Sequence, residues 1–252
     1  MRALVVTAVA AEADSVTTGL TPHPDTFGPE PRTLPLGYPR TKSGEGYLIN
    51  RRDLPGIAFD VLVGGVGPAA AAAGTATALA LADYSLVVSA GIGGGFAPAA
   101  PLGSLVVADA IVAADLGAET PDGFLDVTEL GFGHSVHLPP AELAARAAEA
   151  TGALLAPVLT VSTVTGTAAR AAALAARHPM AGAEAMEGFG VAEAAAAHGL
   201  PVLEIRAVSN VVGPRDRAAW RIGDALTALA DGFRVLGPVL ANWGERHEHD
   251  HR

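Results

Sequence analysis

The chain has 252 residues and a formal charge of −10; half of its residues are hydrophobic and 17% are charged. That balance supports a sizeable core and argues against nucleic acid as a partner, because phosphate binding needs a basic face. Cysteine is absent, which excludes disulfides and thiolate metal sites.

The opening run Arg2-Ala-Leu-Val-Val-Thr-Ala-Val9 is predicted as a strand with Glu12 at its end. Its apolar length suffices for one strand, so it reads as neither a signal peptide nor a membrane span. Residues 13–47 carry prolines and glycines with Arg32, Arg40 and Lys42, and show no sustained period. They are expected to form an irregular loop. A strand over 57–63 leads through Gly65-Val-Gly-Pro-Ala-Ala70 into a helix over 68–82, where Pro68 suits the first turn. This segment fits a loose G-x-G-x-x-A fingerprint, with Asp83 further on. However, Pro68 stands inside it and the motif normally occupies the first βα turn, so a nicotinamide cofactor is not expected. The strand over 85–90 runs into Ser89-Ala-Gly-Ile-Gly-Gly-Gly-Phe96. Glycines there let a backbone approach a ligand closely, which makes Ala90, Gly91 and Ile92 candidate contacts; a tight turn is the plainer alternative.

A strand over 104–113 precedes a second irregular stretch, 115–138, with Phe124, Phe132, His134 and His137. A helix over 139–151 and a strand over 154–161 follow. In Thr163-Val-Thr-Gly-Thr167, Thr163 and Val164 are candidate ligand contacts, while Thr167 could equally cap the helix over 167–177. Glu187 sits where the strand over 182–186 turns into a helix over 187–198, and the helix dipole favours a carboxylate there. Met186 beside it is either core filler or a ligand contact. The strand over 201–208 contains Arg206, whose burial would require a carboxylate from Glu187, Glu184 or the nearer Glu204. Ser209 and Asn210 follow at its end. A helix over 216–240 closes the pattern, with Trp220 either in its core or lining a slot. Residues 241–252, including His247-Glu-His-Asp-His251, are expected to be a frayed tail without a role.

This alternation implies βαβ units around a twisted, largely parallel mixed sheet: a single-domain, three-layer αβα fold over 1–240. In open α/β sheets ligands collect beyond the carboxyl ends of strands. Glu12, Glu187 and Asn210 are all expected at such ends, so three polar groups can converge on one site.

Together these segments resemble the nucleoside phosphorylase/nucleosidase superfamily, specifically its hydrolytic branch, over essentially the whole chain. Thr7-Ala-Val-Ala-Ala-Glu12 is similar to the first strand with its water-activating glutamate. Ser89-Ala-Gly-Ile-Gly-Gly94 resembles the loop along the base and ribose. Ala185-Met-Glu187 resembles the segment that grips the ribose hydroxyls, and Arg206-Ala-Val-Ser-Asn210 the one that holds the purine. The resemblance implies hydrolysis of an N-glycosidic bond by water, with Glu12 and Asn210 catalytic and no metal or organic cofactor. It also implies a cytoplasmic homo-oligomer, a dimer or multiple of dimers, in which a neighbour's loop closes the pocket; 115–138 is the candidate loop.

Two departures sharpen the expectation. Adenine-specific relatives carry aspartate where this chain has Asn210. An amide offers one donor and one acceptor, matching O6 and a protonated N7 of a 6-oxopurine. In addition, no arginine lies in 61–100 to hold phosphate, and Glu12 would repel it, which favours hydrolysis over phosphorolysis. Asn210 and the extension Val211-Val-Gly-Pro-Arg-Asp-Arg217 with Trp220 resemble the futalosine hydrolases within that branch. Their nucleoside carries a distal carboxylate, for which Arg32, Arg40 and Arg215 are the candidate cations. The alternatives are a methylthioadenosine/S-adenosylhomocysteine-type nucleosidase, a purine nucleoside phosphorylase and a non-enzymatic nucleoside-binding module.

Overall fold

The computed structural model describes residues 1–21, 32–36 and 47–249. In chain order the elements are β1 (Arg2–Thr7), α1 (Ala10–Gly19), β2 (Arg32–Leu36), β3 (Tyr47–Leu54), β4 (Ile57–Val63), α2 (Pro68–Leu81) and β5 (Leu86–Gly95). Next come β6 (Leu105–Val107), β7 (Ile111–Ala113), β8 (Gly117–Thr120), β9 (Gly123–Asp126), β10 (Val136–His137) and α3 (Ala141–Thr151). The chain finishes with β11 (Leu154–Leu155), β12 (Val158–Thr160), α4 (Ala168–Arg177), β13 (Ala183–Ala185), α5 (Gly188–Ala197), β14 (Val202–Val211) and α6 (Ile222–His249).

β1 lies between β4 and β5, parallel to both, and β14 runs parallel along β5. β13 crosses antiparallel onto the end of β5, and β3 pairs antiparallel with β4, so the sheet is mixed. Strand side chains alternate between faces, and both faces are buried. Ala3 and Val5 join a core with α1, α3 and α6 on one side, whereas Leu4 and Val6 join a core with α2 and α5 on the other. This is the expected three-layer αβα build. Each fully buried Leu, Val or Phe contributes about 1.5–3 kcal/mol to it. Among the described residues, no helix is long and apolar enough to cross a membrane.

Several boundaries differ from the sequence expectation. Residues 13–47 are not irregular throughout: α1 runs to Gly19, with Ala13, Val16 and Leu20 in the core, β2 falls in the same stretch, and β3 begins at its last residue, Tyr47. The expected strand over 104–113 is two strands, because β6 pairs with β14 while β7 pairs with β12. The strand over 154–161 splits likewise into β11, beside β6, and β12, beside β7. Pro157 stands at that break, where its missing N–H costs no ladder bond. Residues 115–138 contain the hairpin β8–β9 and the short β10. The final helix begins at Ile222 rather than 216, after a 3-10 turn over Arg217–Ala219, and continues past 240. Its buried stripe carries on through Leu240, Ala241 and Trp243, which keeps the expected tail helical to His249.

Candidate active site

Because β1, β5 and β14 are parallel, their carboxyl ends open on one edge of the sheet. A cavity of about 250 Å3 lies there, and Glu12, Glu187 and Asn210 all line it. Met186, Ile92, Val164, Ser209 and Trp220 line it as well.

Glu12 does not end β1, as expected from the sequence, but is the third residue of α1. From that position its side chain reaches back over the helix start. Oε2 accepts from the amides of Ala8 (2.9 Å) and Val9 (3.2 Å), and Oε1 accepts from the amide of Ile92 (2.9 Å). Three backbone amides, one of them that of the helix-capping Val9, thereby hold the carboxylate in one pose. Burial pushes the Glu12 carboxyl above the ordinary carboxylate range, with the Arg206 guanidinium and the amide bonds pulling back. Gly91 is required by this arrangement. A Cβ there would stand 2.5 Å from Glu12 Oε1 and 2.7 Å from Arg206 Nη1.

Glu187 precedes α5 at its N-cap position, as its placement between strand and helix predicted. Oε1 accepts from the Gly67 amide (3.1 Å) and Oε2 from Arg206 Nη1 (3.3 Å). The fingerprint-like loop before α2 therefore commits an amide to Glu187. Arg206 itself is 1% exposed and sits behind the cavity wall. Nε donates to Glu204 Oε1 (2.8 Å) and Nη2 to Ser89 Oγ (2.9 Å). Burial also pushes the Glu204 carboxyl upward, against the pull of Arg206. Three carboxylates thus surround a single guanidinium.

The Asn210 part of the cavity is shaped by an irregularity in β14. Val208 pairs with Gly93 and Asn210 with Gly94, which leaves Ser209 as an extra residue. Such a β-bulge re-aims the side chains beside it. Ser209 Oγ lies 3.0 Å from Asn210 Oδ1 and 3.2 Å from the Gly93 carbonyl, and Asn210 Nδ2 donates to the Val211 carbonyl (3.2 Å). Each end of the amide keeps capacity for one further hydrogen bond.

At the mouth, Arg215 lines the cavity, with its guanidinium 5.0 Å from the centre of the Trp220 ring. Trp220 lies before α6 and not in its core. Of the other candidate cations, Arg40 and the Arg32 side chain lie outside the described residues.

Comparison with known proteins fits this geometry. The profile of the Phosphorylase superfamily matches residues 58–231. The chain belongs to that superfamily. The futalosine hydrolase of Streptomyces coelicolor is 62% identical over 248 residues, covering 96% of this chain and 98% of that protein. The futalosine hydrolase of Acidothermus cellulolyticus is 45% identical over 254 residues, covering 97% and 93%. Among solved structures, the 5'-methylthioadenosine/S-adenosylhomocysteine nucleosidase of Colwellia psychrerythraea in complex with adenine aligns with a TM-score of 0.75 at 21% identity, covering 96% and 95%. The native futalosine hydrolase of Helicobacter pylori aligns with a TM-score of 0.75 at 16% identity, covering 96% and 98%. The structural matches establish the superfamily fold.

Four of the candidate contacts do not line the cavity. Ala90 is buried in the core and Thr163 is exposed, while Gly91 and Arg206 act from behind the wall. Thr167 takes the helix-capping role, accepting from the Arg170 amide at 3.2 Å. Sequence reasoning missed Thr165 and Glu184 in the wall of this cavity. The Glu184 carboxylate accepts from the Thr165 amide (2.8 Å) and hydroxyl instead of pairing with Arg206. The available signal was a lone glutamate inside the apolar strand Ala183-Glu-Ala185.

Proposed function

We propose that this superfamily member hydrolyses the N-glycosidic bond of futalosine, releasing hypoxanthine and dehypoxanthine futalosine, as a step of menaquinone biosynthesis. The observation that carries the reading is one cavity lined both by Glu12 and by an amide, Asn210. The name borne by relatives at 62% and 45% identity supports it.

In this reading Asn210 Nδ2 donates to O6 of the base and Oδ1 accepts from N7 once that atom has taken a proton from solvent, using the one bond each amide atom has left. The C1′–N9 electron pair leaves with the purine while positive charge grows on the ribose. Glu187 accepts from the ribose hydroxyls, and its negative charge favours that cation. Water bonds to C1′ from the opposite face and gives its proton to Glu12. Met186 packs under the ribose. Trp220 flanks the 5′ substituent, and Arg215 meets its carboxylate.

The test is incubation with futalosine, inosine and methylthioadenosine in phosphate-free buffer, with free base measured by chromatography. Hypoxanthine released from futalosine faster than any other base is the expected result. A requirement for phosphate, or faster release of adenine from methylthioadenosine, would refute the assignment.

A further inference from the structure

Outside the nucleoside cavity, three ligand atoms converge at the junction of β10 and α5. His134 Nε2 and His137 Nε2 are 3.2 Å apart, and each lies 2.9 Å from the same oxygen, Glu193 Oε1. Two donors each about 2.0–2.1 Å from a tetrahedral ion stand about 3.3–3.4 Å from each other. The three separations observed sit slightly inside that edge length, so a small outward shift admits an ion. Two imidazoles and one carboxylate form a donor set suited to zinc and its neighbours in the first transition row. The rings meet edge to face, with centroids 4.7 Å apart. Phe189, one turn before Glu193 on α5, lies against both rings at 6.2 and 5.1 Å. This apolar floor leaves the imidazole nitrogens facing Glu193 as the polar edge of the cluster.

We propose that His134, His137 and Glu193 form a binding site for one divalent transition-metal ion, with a coordination position left open on its exposed side. The site is separate from the nucleoside cavity: Glu193 lies six residues beyond Glu187, about 9 Å along the helix axis. His134 is 57% and the Glu193 side chain 44% exposed, so an ion can enter from solvent, while His137 at 12% anchors the cluster. A bound ion would pin the chain between β9 and α3 onto α5, the helix that begins beside Glu187. The competing arrangement is a pair of N–H···O bonds to one carboxylate oxygen. It sets two N–H dipoles side by side, and needs no metal.

Zinc titration of the full-length, chelator-treated protein separates the two. His247, His249 and His251 are replaced by alanine in every sample, so that the C-terminal histidines cannot supply the signal. Calorimetry should then show one Zn2+ per chain, and Tm should rise by roughly 5–10 °C when free zinc reaches a hundred times Kd. His134→Ala should weaken binding at least about tenfold, and Glu193→Gln, which keeps an acceptor oxygen for the histidines, should do the same. Co2+ should give visible absorption bands of a tetrahedral site that both variants lose. Absence of binding, or affinity unmoved by His134→Ala and Glu193→Gln, would overturn the proposal. Neither readout depends on hydrolysis of any nucleoside.

Discussion

The deep end and the mouth of the cavity at the strand ends are built on opposite principles. At the deep end Glu12, Glu187, Glu204 and Arg206 are all at most 6% exposed and hold one another or backbone amides. At the mouth Val164 is 39% and Val211 50% exposed, and the Arg215 guanidinium lies over the face of Trp220. Charges in the interior are expensive unless paired, so the deep end couples chemistry to stability. Solvent screens the mouth, which leaves that region free to vary with the substrate. Substitutions at the two ends should therefore differ in kind as well as in size.

Glu12→Gln should have the largest effect on activity. An amide of the same shape keeps most of the cavity but cannot take a proton from water, so kcat should fall roughly 10²- to 10⁴-fold. Near-unchanged circular dichroism would confirm that folding is intact. The pH profile adds a check on the wild type. Because burial raises the Glu12 carboxyl, the acid limb of kcat/KM should lie above the ordinary value of 4.5. The same shift affects stability. A carboxyl that binds its proton more tightly when folded contributes stability that is complete below 4.5 and lost as pH rises through the raised folded value. An acid limb at or below 4.5 would mean that another group supplies the base.

Arg206→Ala attacks the same region through stability. Removing one partner of a buried ionic network costs about 3–5 kcal/mol, because the remaining charges lose their counter-ion. Here Glu187 and Glu204 would both be stranded. Urea unfolding measures this directly. A loss below about 1 kcal/mol, comparable with an exposed pair, would erase the contrast between the two ends.

That contrast also explains which parts of the site were legible in the sequence. Glu187 was found because a strand-to-helix junction leaves a composition signature, and Asn210 because it stands near the end of a largely apolar strand, which runs on to Val211 and not only to 208. Glu12 was found but placed on the wrong element. The strand stops at Thr7, and the cue was the helix-start pattern of a glutamate three residues past Val9, which satisfies the orphaned amides. The bulge at Ser209 could not be read, since register depends on the partner strand β5. The split strands over 104–113 and 154–161 were hidden for the same reason: local propensity fits a strand, and only the sheet decides where pairing changes partners. Thr165 and Glu184 were missed because each belongs to a pair that forms only in three dimensions.

Asn210→Asp tests the purine contact proposed for the amide. A carboxylate presents only acceptors, so it opposes O6 of hypoxanthine and suits the exocyclic amine of adenine. A mismatched buried polar pair costs about 1–3 kcal/mol, and each 1.4 kcal/mol is tenfold. The ratio of kcat/KM for hypoxanthine over adenine nucleosides should drop roughly 5- to 150-fold. An unchanged ratio would show that the amide does not read the base.

Arg215→Ala should have the smallest effect and the most selective one. The residue is exposed and stacked on Trp220, so its pairing with a substrate carboxylate is screened and contributes about 0.2–1 kcal/mol. That corresponds to a rise of roughly 1.5- to 5-fold in KM for futalosine, with kcat nearly unchanged because the contact is made equally before and during bond cleavage. Inosine, which has no distal carboxylate, should be processed as before. If inosine lost as much as futalosine, the substitution would have disturbed the Trp220 wall, and Arg215 would be a support for the aromatic ring and not the group that recognises the 5′ end.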